Sequence, residues 1–94
     1  MGKIFEKIYG EVKKIPLGET KSYGDIARAV GCNPRIVGYA LHKNHDPDNT
    51  PCHRVVFSDG RLAPGYIFGG PERQKEKLQK EGVAFDDKNR VIGS

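Results

Sequence analysis

From Lys3 to Ile15 the apolar residues Ile4, Phe5, Ile8, Tyr9, Val12 and Ile15 recur at three- and four-residue intervals among charged ones, which predicts an amphipathic helix stopped by Pro16. Leu17-Gly18-Glu19-Thr20 reads as a turn or short extended piece. Ser22 with Asp25 three residues on resembles a capping box, and opens a second helix whose buried face is expected to be Ile26, Ala27, Ala29 and Val30. Gly31 ends that helix, and Asn33-Pro34 restarts one with a cap and a proline at its first position. Ile36, Val37, Ala40 and Leu41 form the apolar face of this third helix. Two short helices around a glycine-bearing turn, Ser22 to Lys43, make a helix-turn-helix candidate.

Beyond it the pattern thins. Asn44 to Thr50 is loop, and Val55-Val56-Phe57 before Ser58-Asp59-Gly60 predicts a short strand ending in a turn. Pro71-Glu72 opens a last helix to about Lys80, with Gln74 and Leu78 inward and Gly82 as its stop; Val83 to Ile92 reads as a tail with a turn at residues 86–89. The fold class expected from the pattern is mostly α with a short β element, built around the helix-turn-helix candidate and occupying residues 1–94 as a single unit.

Composition narrows the classes. Ninety-four residues, 36% apolar and 30% charged, are too few for a two-domain cofactor enzyme and too apolar for a disordered tail. No run of about 18 apolar residues and no signal-like start is present, so a membrane span is not expected and a cytoplasmic location is. In that setting Cys32 and Cys52 are read as free thiols. A net charge of +4 permits a polyanionic partner, although no block of five like charges supplies a basic arm.

The concentrated chemistry is Pro51-Cys52-His53-Arg54-Val55. A thiol becomes nucleophilic when a base or a positive charge lowers its pKa from about 8.5 toward neutrality, so Cys52 is expected as an ionised nucleophile with His53 as its base. Glu81, at the end of the last helix, is the carboxylate that can orient the imidazole. Taken singly, a cysteine in a small domain is more often an inert core residue, and Glu81 an exposed helix-end charge. Metal ligation by Cys32, His42, His45, Cys52 and His53 is not expected, because no zinc-type spacing is matched.

Ile15-Pro16-Leu17-Gly18, Ser22-Tyr23-Gly24-Asp25-Ile26-Ala27, Arg35-Ile36-Val37-Gly38, Pro51-Cys52-His53-Arg54-Val55-Val56 and Glu81-Gly82-Val83 together resemble the DNA-binding domain of O6-alkylguanine-DNA alkyltransferases and the related alkyltransferase-like proteins, from Phe5 to Val83. The resemblance implies a helix-turn-helix, winged-helix-like DNA-binding domain that docks its second helix in the DNA minor groove and flips a damaged guanine into a pocket, since chemistry on a stacked base requires extrusion. It implies Arg35 as the intercalating finger, Tyr23 against the backbone phosphate, Ser22 beside it on the DNA, and Gly38 and Ala40 as small residues allowing close approach. Cys52 would take the alkyl group from O6 in one irreversible displacement, with His53 acting through a water, Glu81 holding the imidazole and Asn44 steadying the site. Tyr66, Arg54 and the main chain at Val55 would line the substrate pocket. It further implies a monomeric methylated-DNA-protein-cysteine S-methyltransferase working once, without cofactor or metal, on double-stranded DNA containing O6-alkylguanine.

The departures define the alternatives. Alkyltransferase-like members carry Trp where this chain has Cys52, which favours transfer. Ile67 follows Tyr66 where active members commonly place a hydroxyl donor, and losing a hydrogen bond to a developing charge costs roughly 2 to 4 kcal/mol of barrier. The turn Cys32-Asn33-Pro34 is shorter than usual, and the N-terminal domain of larger members is missing. A second reading is therefore a non-enzymatic lesion sensor that recruits nucleotide-excision repair proteins, and a third is a plain helix-turn-helix regulator reading the major groove.

Overall fold

The computed structural model describes residues 2–63, 66 and 68–92; Ile67, named in the sequence reading, lies outside the described residues. Helix α1 spans Gly2–Lys13, and Lys14 and Ile15 extend it by tighter turns onto Glu11 and Val12 carbonyls before Pro16. A two-residue strand β1 (Lys21–Ser22) leads into α2 (Tyr23–Val30) and α3 (Pro34–His42). A single 3₁₀ turn (Cys52–Arg54), strand β2 (Val55–Val56) and helix α4 (Gly70–Lys80) complete the order.

The local signals act as their chemistry dictates. The Ser22 hydroxyl accepts from the Asp25 backbone N–H while the Asp25 carboxylate accepts from the Ser22 N–H, both at 3.0 Å, closing the capping box. Gly31 ends α2 in the left-handed conformation at φ 76°, where the Ala27 carbonyl accepts from both Gly31 and Cys32. Asn33 then caps α3 by accepting from Arg35 N–H at 2.9 Å.

Three helices share one core, in which Ile8, Val12, Val37, Ala40 and Val55 are fully buried. Each Ile or Val side chain among them is worth about 1.5–3 kcal/mol of transfer free energy. The Tyr9 hydroxyl donates to the Ala40 carbonyl at 2.6 Å, tying α1 to α3. One expectation fails here: Ala29 is exposed, because α1 covers α2 only along the Ile26–Ala27 stripe. A second, smaller cluster joins Val56, Leu78 and Val83, with Leu62, Phe85 and Val91 packed on it.

That second cluster corrects the expected tail. Residues 83–92 fold back as a small flap, with antiparallel bridges pairing Phe85 with Val91 and Arg61 with Arg90. Gly60, at φ 88°, makes the approach possible, since a Cβ there would lie 2.9 Å from the Val91 carbonyl oxygen. Strand β1 lies just beyond the turn or extended piece expected at Leu17 to Thr20, and pairs in parallel with β2, Lys21 opposite Val55 and Ser22 opposite Val56. This short ladder holds the N-terminus of α2 against the turn that carries Cys52.

Candidate active site

The 3₁₀ turn decides what each residue of the central motif faces. With three residues per turn, successive side chains leave about 120° apart. Cys52 therefore points into a cavity of about 740 Å³ between α2, α3 and the segment around Tyr66, a volume in the range of small-ligand sites. His53 and Arg54 point the other way, onto the end of α4.

There Glu81 is the hub. Its Oε2 lies 2.7 Å from His53 Nε2 and accepts from the Arg54 guanidinium at 3.0 Å, while Oε1 accepts from Arg54 Nε at 2.9 Å. Arg54 also donates to the Ile15 carbonyl at 2.8 Å. A carboxylate at a helix C-terminus faces the negative end of the dipole, so the guanidinium is what makes Glu81 tolerable there. Burial pushes its carboxyl up, but hydrogen bonds from Arg54 and His53 outweigh it and pull the pKa down to about 2. Arg54, expected on the pocket wall, is thus a strut behind it and does not line the cavity.

Burial pushes the His53 imidazole below its ordinary value, against the pull of Glu81. A neutral ring beside an ionised carboxylate carries its proton on Nε2, which donates to Glu81. Nδ1 is then a lone pair, buried and without a hydrogen-bond partner among the described residues. It is the free proton acceptor of the turn.

The expected ionised thiol is corrected. Cys52 is 4% exposed within the apolar cluster, and burial pushes its pKa up; a hydrogen bond from Asn44 and the charge of Lys77 oppose that shift without reversing it. Desolvation beats the neighbouring charges, so the sulfur rests as a thiol. Asn44, itself buried, holds the approach loop by donating to the Thr50 carbonyl at 3.0 Å and accepting from Asp46 N–H at 3.1 Å.

Two further expectations change. Val55 is fully buried and its carbonyl accepts from Gln74 at 2.9 Å, so that oxygen faces α4 instead of the cavity. Gln74 also donates to the His53 carbonyl at 3.0 Å and accepts from Ala63 N–H at 2.9 Å, with no surface exposed. Ala40, expected to face DNA, is a core residue; Gly38 lines the cavity. The helix period explains this, because position 40 lies on the stripe of Ile36, Val37 and Leu41 that meets α1.

At the cavity mouth, Tyr23 packs its ring on Phe57 at 5.4 Å between centroids, and burial pushes its phenol up to about 12. Ser22 lines the same wall while its hydroxyl is occupied in capping. Arg35 is exposed on the first turn of α3, and its guanidinium makes no hydrogen bond or ion pair among the described residues. The sequence reading passed over Lys77. It lies on the same side of α4 as Gln74, three residues on, and that spacing was the available signal.

The arrangement is a protonated thiol in a cavity, a buried base behind it and a free cation at the rim. Residues 3–83 match a family model described as the DNA-binding domain of 6-O-methylguanine DNA methyltransferase. The chain is 40% identical over 85 residues to alkyltransferase-like protein 1 of Schizosaccharomyces pombe, covering 88% of this chain and 79% of that protein. It is 47% identical over 78 residues to a methylated-DNA–protein-cysteine methyltransferase of Methanocaldococcus vulcanius, covering 83% of this chain but only 47% of the relative. The crystal structure of the Schizosaccharomyces pombe protein bound to damaged DNA containing O6-carboxymethylguanine superposes with a TM-score of 0.81 at 36% identity, over 97% of this chain and 88% of that one.

Proposed function

The chain belongs to the family of the O6-methylguanine-DNA methyltransferase DNA-binding domain, and from that premise we propose that it repairs alkylated DNA by accepting the alkyl group of O6-alkylguanine on Cys52. Helix α3 lies in the minor groove, and Arg35 fills the gap left by the flipped base, an insertion that repays a few kcal/mol of unstacking. The base enters the cavity between Tyr23, Gly38, Cys52 and Tyr66.

As the S–C bond forms, the bond from carbon to O6 breaks and its electron pair stays on the guanine. The thiol proton passes through a water to His53 Nδ1 and from there to the purine ring, so charge balances. Because the thiol is not ionised beforehand, its proton leaves together with the attack, which ties reactivity to the presence of a docked base. A thioether has no easy leaving step, so the protein acts once.

One observation carries this reading: the turn locks His53 and Arg54 in a network on Glu81 while presenting the sulfur to an open cavity that Arg35 also lines. The test is intact-protein mass after incubation with stoichiometric O6-methylguanine duplex under reducing conditions. A gain of one methyl group, absent with undamaged duplex, is expected; an unchanged mass overturns the reading.

A second reading, a lesion sensor that flips the base and hands it to excision-repair proteins, is favoured by the raised thiol pKa and by the 40% identity to the alkyltransferase-like relative. It predicts tighter binding to the alkylated duplex with no mass change. A monomer acting in the cytoplasm belongs to both readings.

A further inference from the structure

Beside the cavity, α4 brings a lysine against Tyr66, which the mechanism above uses only as a wall of the base pocket. Lys77 reaches from α4 and donates its ammonium to the Tyr66 hydroxyl oxygen at 2.8 Å. The same ammonium lies 5.4 Å from the Tyr66 ring centroid and 5.6 Å from that of Phe68, which meets Tyr66 edge to face at 5.7 Å. Tyr66 is buried, and its side chain is part of the wall that also carries Cys52.

A phenol oxygen that accepts from an ammonium must turn its own hydrogen elsewhere. No acceptor among the described residues takes that hydrogen. Burial pushes the Tyr66 phenol up, so the O–H persists at all physiological pH. The cation behind it polarises the O–H and makes it a stronger donor than a lone tyrosine, as in other chained hydrogen bonds.

We propose that Lys77 and Tyr66 form a donor relay, ammonium to phenol to O6 of the flipped guanine, that recognises the alkylated oxygen and stabilises the charge left on it. The inference rests on the alkylguanine reading above and adds a recognition group to it. Tyr66 keeps its proton and Lys77 its charge throughout. The bonds made and broken remain S–C and C–O6, and the relay only strengthens the hydrogen bond to O6 as its electron pair accumulates. Tyr66 touches the base, and Lys77 is a positioning residue that acts through it. The relay supplies from α4 the donor that Ile67, beside Tyr66 in sequence, lacks.

The experiment compares two duplexes, one with O6-methylguanine and one with 2-aminopurine, which lacks any oxygen at that carbon. Affinities are measured in a Cys52→Ala background, which cannot consume the alkylated duplex, for the otherwise wild-type protein, Tyr66→Phe, Lys77→Met, Lys77→Arg and the Tyr66→Phe/Lys77→Met double variant. Tyr66→Phe should lose about fivefold to tenfold of the preference for O6-methylguanine and Lys77→Met about threefold, the size of one hydrogen bond and of its polarisation. Lys77→Arg, which keeps a cationic donor, should retain most of the preference. The double variant should be no worse than Tyr66→Phe, because the lysine acts only through the phenol. Methionine preserves the packing on Tyr66 and Phe68, so a purely structural lysine predicts no change in the ratio. Equal losses on both duplexes, a full Lys77→Met effect in the Tyr66→Phe background, or an unchanged ratio overturns the relay alone. A wild type that binds O6-methylguanine duplex no better than undamaged DNA overturns the alkylguanine reading, and the relay with it.

Discussion

The two sides of the Cys52–Arg54 turn differ in one respect that separates structure from function. Behind the turn the charged groups and the main chain are answered, Glu81 by Arg54 and His53 and the main chain by Gln74, and of the turn's side chains there only His53 Nδ1 is left open among the described residues. On the cavity side the groups are left open: the Arg35 guanidinium is unpaired among the described residues, the Tyr66 hydroxyl offers a hydrogen, and Cys52 stands without a full charge partner. Buried polar groups cost free energy unless paired, so a protein leaves them open mainly where a ligand will complete them. The clamp holds the turn so that the open face can be presented at fixed geometry.

The comparison breaks most visibly at the sulfur. Cys52→Ser, a near-isosteric change, should abolish alkyl uptake while shifting stability by less than about 1 kcal/mol. Mass spectrometry and thermal unfolding measure the two halves, and a large loss of stability would place Cys52 among the clamp groups.

On the clamp side, Glu81→Gln should destabilise the fold by roughly 2 kcal/mol, because it leaves the half-buried Arg54 guanidinium without its counter-charge. The pH dependence has a definite sign. The Glu81 carboxyl is lowered from 4.5 to about 2, so its contribution is complete above pH 4.5 and is lost as pH falls toward 2. The lowered imidazole of His53 acts in the same direction, its contribution being complete above 6.5 and declining as pH falls. Acid unfolding of Glu81→Gln should therefore be less steep below pH 4.5, and an identical acid slope would remove Glu81 from the account.

Gln74→Leu should cost roughly 2 kcal/mol, since it strands two carbonyls and one N–H inside the protein. Denaturant midpoints measure it, and a change under about 0.5 kcal/mol would mean that the turn holds itself. Arg35→Ala sharpens the other side. It should leave stability unchanged and weaken binding to alkylated duplex about tenfold while affecting undamaged duplex less. Equal weakening on both would make Arg35 an ordinary phosphate contact.

The local elements were legible in the sequence because their signals span four residues or fewer. The Ser22–Asp25 capping box, the Gly31 stop, the Asn33-Pro34 start and the inward Gln74 and Leu78 all stand where the pattern placed them. Ala29 misled because an alanine on an eight-residue helix fits either face until a neighbouring helix covers one. The flap of residues 83–92 was missed because its partners, Gly60 and Arg61, lie far back in the chain.

By itself, then, the order of residues determined the helical framework, the family membership and the pairing of chemistry around Pro51-Cys52-His53-Arg54, all carried by near neighbours and by a specific motif. Tertiary structure decided which of those side chains face the cavity, that the thiol rests protonated, and that Lys77 meets Tyr66. Orientation around a turn depends on what packs against it, and a thiol's pKa depends on how far water is excluded. Both are set by contacts between segments distant along the chain, which no local pattern encodes.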